Sequence, residues 1–408
     1  MSRNARSTQD GDTRQIPIIP TNPEAGEQYV SYAPTNQGSS GYTDFAGQRG
    51  SYGNRRADEY DSGSRSVRPR KNRRRARHGF LSLCLWVISA FIMGIMSIRM
   101  LPADLANTGF MPLIVSFVPW LAIASLIILL FALLWRRRLL ALVSVVCIVF
   151  QIVWHIGYLK PTTTISQAAK TAVASATINT TDRYARIMTF NTHAGTANVN
   201  EIVQTVKDQH VEVLALQEMT QGFIQRLESA GISSVLPYSV IASTKHGDNG
   251  GVNGLWTAEA QSDVNSNLIP TEASSIPAAS ITLGTTIVRF GSVHPNSPTR
   301  GQQSVWSAGL GTISSLKNYD HTYVLMGDFN STWDHPSFRS LLGSTFVDSS
   351  EQAGEGFHMT YPANSKIPPL IEIDHIVHTS GVKVGDIETV QISKSDHRAL
   401  VATLEASS

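Results

Sequence analysis

Cysteine is almost missing from this chain: 408 residues hold only two, Cys84 and Cys147, and both sit inside long apolar runs. This scarcity excludes a disulfide framework and a thiolate metal site from any soluble part, so a metal would have to be held by oxygen or imidazole. Acid is missing from residues 65–78, "RSVRPRKNRRRARH", which carry eight Lys/Arg and no Asp or Glu. Charge of either sign is missing from residues 111–135, "MPLIVSFVPWLAIASLIILLFALLW". A sustained apolar period is missing from residues 1–64, which are rich in Gly, Ser, Asn, Gln, Tyr and Arg. Such a segment cannot bury enough surface to offset chain entropy and reads as a disordered tail.

What is present is unevenly spread. Residues 1–78 hold 14 Lys/Arg against 8 Asp/Glu, and residues 161–408 hold 14 against 22, so formal charges of +6 and −8 hide within a total of +2. Three apolar runs follow the basic block, at about 79–98, 111–135 and 139–158. Each approaches the length that crosses a bilayer as a helix, which predicts three transmembrane helices. Basic residues cluster in 65–78 and in Arg136, Arg137 and Arg138, whereas the loop 99–110 holds one Arg and one Asp. The positive-inside rule then puts the N-terminus in the cytoplasm and everything after Lys160 outside, as in a multi-pass protein of the cell membrane. His155 and Gln151 lie toward the outer end of the third run and read as interfacial residues.

Residues 160–183, rich in Thr, Ala and Ser, read as an extracytoplasmic linker, and 184–405 as one soluble domain. Within that domain "YARIMTF" and "VEVLALQE" are strand-like, and Val199, Ile202, Val203 and Val206 mark one helical face between them. Trp306, Leu310, Ile313 and Leu316 mark a second helix, while "IEIDHIVHT", "IETVQIS" and "RALVATLE" are strands without helices between them. That mixture predicts an α/β domain of mixed sheets.

Six strand ends of this domain carry polar groups that are costly to bury without a task. They deliver Asn191 and His193, Glu218, His294 and Asn296, Asp328 and Asn330, Asp374, and Asp396 with His397. Any one of them alone could be a turn residue, a helix-start carboxylate or a strand-end imidazole. Together they make a reactive set. Glu218 with the Asn191 amide oxygen is an all-oxygen pair suited to Mg2+ or Mn2+, hard cations that also bind substrate phosphate. Asp328 is placed to orient and deprotonate a water, with Asn330 holding that water or a phosphoryl oxygen. His397 beside Asp374 would stay protonated and stabilise developing charge. The implied reaction is metal-assisted hydrolysis of a phosphate ester or anhydride.

"MTFNTH", "LALQEM", "VLMGDFNST", "IEIDHIVH" and "KSDHRALV", in this order, resemble the signature blocks of the endonuclease/exonuclease/phosphatase superfamily over roughly 184–404. The resemblance implies a four-layer α/β sandwich, two mixed β-sheets flanked by helices, with the site at the sheet ends. Carried onto these positions, it implies Glu218 as the principal metal ligand with Asn191 beside it and Asp396 as a metal-side carboxylate. It implies Asp328 as the base, Asn330 as a phosphate or water contact, His397 as the phosphate-stabilising imidazole oriented by Asp374, and His294 as a second phosphate contact. Where abasic-site endonucleases carry an acid two residues after the first-strand Asn, this chain has His193. "FHMTYPAN" resembles a Thr-x-Pro segment of membrane-bound members and brings Thr360 toward the site. The order of tail, three spans and outer domain is similar to that of actinobacterial teicoplanin-resistance membrane proteins. That likeness implies a lipid-linked substrate, undecaprenyl pyrophosphate, and membrane lipids as surroundings. Two other functions compete. An outer-surface nuclease is disfavoured by the acidic domain, which offers no broad basic groove for nucleic acid. An inactive binding module is disfavoured because every core position of the site is occupied.

Overall fold

Period-2 alternation divides the apolar side chains of each strand between two faces, and this assembles two packed sheets. The protein is described here by a computed structural model over residues 72–175, 178–245 and 249–407. The expected disordered tail and residues 65–71 of the basic block lie outside the described residues, and residues 72–78 begin the helix Asn72–Arg99. In chain order the strands are β1 Tyr184–Asn191, β2 Val213–Met219, β3 Tyr238–Ile241, β4 Val252–Thr257, β5 Ser262–Asn265 and β6 Ala278–Leu283. They continue as β7 Thr286–Val293, β8 Thr322–Asp328, β9 Val347–Asp348, β10 Asp374–His378, β11 Val382–Gln391 and β12 Arg398–Ala406. One sheet runs β11-β12-β1-β2-β4-β3 and the other β5-β6-β7-β8-β10-β9. Among the described strands only β1/β2 and β7/β8 pair in parallel, so both sheets are mixed as expected.

Between the sheets lie Ala185 and Ile187 of β1, Val288 and Phe290 of β7, Val324 and Met326 of β8, and Ile376 of β10. The opposite face of the first sheet packs Met188, Phe190, Leu214 and Leu216 against helices Val199–Asp208 and Gln221–Ser229. The opposite face of the second packs Tyr323, Leu325 and Val377 against helices Gln303–Ser314 and Pro336–Leu342. The result is the four-layer order helix, sheet, sheet, helix.

Residues 160–183 carry helix Gln167–Val173, which packs on this sandwich. Ala169 is fully buried, and Ser166 donates its N–H to Glu405 Oε2 at 2.7 Å. The segment read as a linker is therefore partly docked. A free tether would not bury Ile165 and Ala169.

N-terminal to it, helices Gly79–Arg99 and Arg138–Tyr158, 21 residues each, are long and apolar enough to cross a membrane. At about 1.5 Å per residue each spans about 30 Å. The middle run differs from the expected 111–135 span. It breaks into a short helix Met111–Val115, a single 3-10 turn Val118–Trp120 and a helix Leu121–Leu134. Pro112 and Pro119 stand at the two restarts, where a missing N–H is tolerated. Only Val118–Leu134 is continuous, and it is shorter than the two flanking helices. The segment before it turns back along the sandwich.

A buried carboxylate near the start of β2 makes stability pH-dependent. Burial pushes the Glu212 carboxyl up to about 8, and the Arg186 N–H that Glu212 Oε1 accepts offsets this only in part. Between pH 4.5 and 8 the folded state then holds a proton that the unfolded chain has lost, so stability falls as pH rises through that window. Glu212→Gln is expected to flatten this decline, by on the order of a few kcal/mol near pH 8. Thermal unfolding of the two proteins at pH 6 and pH 9 checks it; parallel losses would refute it.

Candidate active site

The rows of residues between the sheets do not stop at the end of the core. Asn191 continues the row of Ala185 and Ile187, Asp328 that of Val324 and Met326, and His294 that of Val288 and Phe290. At one end of the sandwich the same face thus changes from apolar to reactive. Asp374 of β10 is the direct cross-strand partner of Asp328, a pairing of like charges that is unfavourable unless something lies between them. His397 lies between. Its Nδ1 is 2.8 Å from Asp374 Oδ2, and its Nε2 is 3.7 Å from Asp328 Oδ2.

Glu218 reaches the site by a different route. By alternation it would follow Leu214 and Leu216 to the helix side. The β2/β4 register shifts between Leu216 and Met219, and Glu218 itself sits at φ 57°, in the left-handed region. That irregularity re-aims the side chain. Gly250 packs against it, and a Cβ there would come within 2.4 Å of Glu218 Cδ. Gly327 is required in the same way: a Cβ would lie 1.9 Å from the Val293 carbonyl oxygen of the paired strand.

Asn191 ties the two carboxylates together. Its Nδ2 donates to Glu218 Oε1 at 3.1 Å and to Asp328 Oδ2 at 3.0 Å, while its Oδ1 accepts the His193 N–H. The amide oxygen expected to face a metal is thus occupied by the backbone. Glu218 Oε2 accepts the Ala194 N–H at 2.8 Å, and Asp328 Oδ1 accepts the Asn330 N–H at 2.7 Å. His294 Nε2 is 3.5 Å from Asp328 Oδ2 and 3.6 Å from Glu218 Oε1. Asn330 and Asn249 each place Nδ2 3.2 Å from that nitrogen. Asp396, at the rim, pairs with His193 Nδ1 at 2.8 Å, which is what the His in place of an acid does here.

Charge is strongly polarised in this cluster. Burial opposes a proton on His397, but the carboxylates of Asp374 and Asp328 outweigh it and lift the imidazole to about 10. His294 is raised as well, with Asp328 overcoming its burial. Burial would raise the Asp328 carboxyl, yet His397, His294 and the Asn330 N–H bring it down to about 2. The site therefore holds an anionic Asp328 beside a cationic His397, with the adjacent His294 biased toward its protonated form.

A cavity of about 480 Å3 opens over this group. Glu218, His294, Asp328, Asn330, Asp396 and His397 line it, with Asn191 and Asp374 buried directly behind. The eight residues expected to carry the chemistry therefore meet in one place, and of the other two strand-end residues His193 joins them at the rim through Asp396 while Asn296 is not among those lining the cavity. Thr360 is buried beside Asp374, whose backbone N–H lies 3.4 Å from its Oγ1. Sequence reasoning missed Asn249, Arg300 and Tyr361, which line the same cavity; the Tyr361 ring lies 5.1 Å from that of His397. It also missed Phe110 and Leu113, which reach the cavity from the segment preceding helix Leu121–Leu134.

The donor set fits a hard divalent cation. Ligand atoms of Asp328, Asp374 and His397 all lie within 4.8 Å of one another, and Asp374 Oδ1 is buried without a partner among the described residues. Within that trio His397 is a poor ligand, because a protonated imidazole has no lone pair to give. The carboxylates of Glu218, Asp328 and Asp396 are the better donors.

Acid, amide and imidazole gathered at the ends of two packed sheets define a hydrolytic α/β sandwich built for phosphate esters. The model of the Endonuclease/Exonuclease/phosphatase family matches residues 188–397, and the chain belongs to that family. No curated protein matches the chain. Among solved structures it is similar to a humanized D. rerio TDP2, at 16% identity and TM-score 0.46, over 55% of this chain and 100% of that one. It is also similar to a family protein of Leptotrichia buccalis, at 16% identity and TM-score 0.45, over 54% and 99%. A family protein of Bacteroides vulgatus aligns at 19% identity and TM-score 0.44, over 55% and 99%.

Proposed function

We propose that the protein is a membrane-anchored, divalent-metal-dependent phosphohydrolase whose domain works outside the cell membrane on a lipid-carrier pyrophosphate. The observation that carries the reaction is the convergence of Glu218, His294, Asp328 and His397 on one cavity. Mg2+ or Mn2+, held by Glu218 with Asn191 beside it and Asp396 at the rim, would supply Lewis-acid charge at a phosphoryl oxygen. The chain's own residues do the rest. Asp328, kept anionic, accepts a hydrogen bond from the attacking water and aligns it. His397 and His294 donate to phosphoryl oxygens and offset the charge that builds there. Asp374 fixes the His397 ring through Nδ1, so that Nε2 points at the substrate. Asn330 holds the water or a phosphoryl oxygen.

Anchoring has its own support. Of the exposed large apolar side chains among the described residues, all but Tyr238, Val264, Ile287, Tyr319 and Ile367 lie between residues 80 and 159. A soluble surface does not carry a band of that size. In this reading the band, apart from Phe110 and Leu113 at the cavity, is lipid-facing, Val118–Leu134 is a third crossing, and the basic residues 65–78 and 136–138 lie inside.

The test uses the full chain in detergent with Mg2+, Mn2+ or chelator and a panel of phosphomonoesters, phosphodiesters and prenyl pyrophosphates. Metal-dependent release from a prenyl pyrophosphate is expected, and Glu218→Gln should raise the metal concentration for half-maximal rate by about 10- to 100-fold. Release that persists in chelator would sink the reading. Plasmid nicking without any phosphatase activity would favour the nuclease.

A further inference from the structure

The apolar residues 100–120 read in sequence as a loop and the beginning of a span. In the structure they are pinned to the sandwich beside the cavity. Gln303 Nε2 donates to the Gly109 carbonyl at 2.8 Å, and His335 Nε2 lies 2.9 Å from the Pro112 carbonyl. Trp120 Nε1 donates to the Leu370 carbonyl at 2.8 Å. These contacts hold the segment against the sandwich, where Gly109, Phe110, Leu113 and Ser116 line the cavity.

Two large side chains on this segment, Phe110 and Leu113, line the cavity that holds Asp328 and His397, yet they are 67% and 59% exposed. Ile371 and Ile373 line it as well. The cavity therefore has a mixed lining, carboxylates and imidazoles from the strand ends together with aliphatic and aromatic carbon from residues 110–113 and 371–373. The apolar wall at 110–113 is continuous in the chain with helices whose outward faces are also apolar. Nothing in phosphate chemistry needs that carbon. A substrate with a hydrocarbon chain attached to its phosphate does.

We propose that Phe110 and Leu113 are specificity-determining residues that receive the apolar chain of the substrate while its phosphate lies at His397 and Asp328. The inference rests on the proposed hydrolysis of a lipid-linked phosphate and adds which residues choose it. The occupant follows from continuity: one cavity joins the reacting end to the apolar wall, so the group bound there is covalently next to the phosphate. Selection then works by burial of carbon, a gain that increases with each methylene covered.

The test compares dimethylallyl with farnesyl pyrophosphate in the same micelles, using the full-length protein with Mg2+. For the wild type, kcat/KM is expected to be at least about tenfold higher for the longer chain. Phe110→Ser/Leu113→Ser should bring the ratio to within about twofold, and Phe110→Leu/Leu113→Met should restore it. A wild-type ratio near one overturns the proposal, as does a double Ser variant that keeps the preference. Binding of farnesyl and dimethylallyl monophosphates to the Asp328→Ala protein separates this inference from the one beneath it. If no pyrophosphate is hydrolysed, the proposed reaction fails; the wall still stands if affinity rises with chain length and the double Ser variant abolishes that rise, and it falls if affinity ignores chain length. An unchanged thermal midpoint for the double variant shows that the effect is not loss of fold.

Discussion

His397→Ala is expected to lower kcat about a thousandfold at saturating metal, because it removes the cation aimed at the phosphoryl group and leaves two facing carboxylates uncompensated. Asp328 and Asp374 are cross-strand partners, and His397 is the group between them. Without it Asp328 loses the strongest of the charges that keep it anionic, so the variant weakens both charge stabilisation and alignment of the water. Asp374→Asn should cost less, about a hundredfold, since the imidazole remains but loses its orienting partner. The two are expected to act as a unit: His397→Ala/Asp374→Asn should be no slower than His397→Ala alone. Steady-state turnover of the four proteins on a prenyl pyrophosphate measures this. Multiplicative losses would mean that Asp374 acts independently of His397.

Much of this site is legible in the sequence for a physical reason. A β-strand keeps its parity, so a reactive residue two positions past a buried apolar one points the same way, and Asn191, His294 and Asp328 all obey that rule. Glu218 breaks it. Its parity sends it to the helix side, and only the register shift with a left-handed residue returns it to the cavity. The resemblance of "LALQEM" to a family block identifies Glu218 where periodicity cannot. The middle apolar run is legible only in part, because composition cannot tell the broken stretch before Val118 from the continuous helical stretch Val118–Leu134. Pro112 and Pro119 were the available signal, because each can start a helix but not continue one. Residues 160–183 read as linker because Ile165 and Ala169, the two that bury, are too few to show a period.

Asp334→Ala is expected to destabilise the protein by about 3–5 kcal/mol, the cost of leaving buried cations without their counter-ion. The Asp334 carboxylate is 1% exposed and accepts from Arg99 Nε at the end of helix Asn72–Arg99. It also faces His155 Nε2 at 3.1 Å, at the end of helix Arg138–His155. Burial would raise the Asp334 carboxyl, but His155 and Arg99 outweigh it and hold it low. Arg339 crowds the same place, donating to the carbonyls of Asp334 and Arg99. Removing the one carboxylate thus leaves the buried Arg99 guanidinium without its counter-ion while Arg339 adds a second positive charge nearby. The seam lies on the loop that carries the site, four residues after Asn330, so a secondary loss of about tenfold in kcat is expected through misplacement rather than lost chemistry. Arg99→Met/Asp334→Leu should recover most of the stability, because removing both partners removes the unpaired charge along with the bond. Thermal unfolding of the single and double variants in one detergent decides it. If Asp334→Ala melts with the wild type, the helical segment and the sandwich are not joined through this carboxylate.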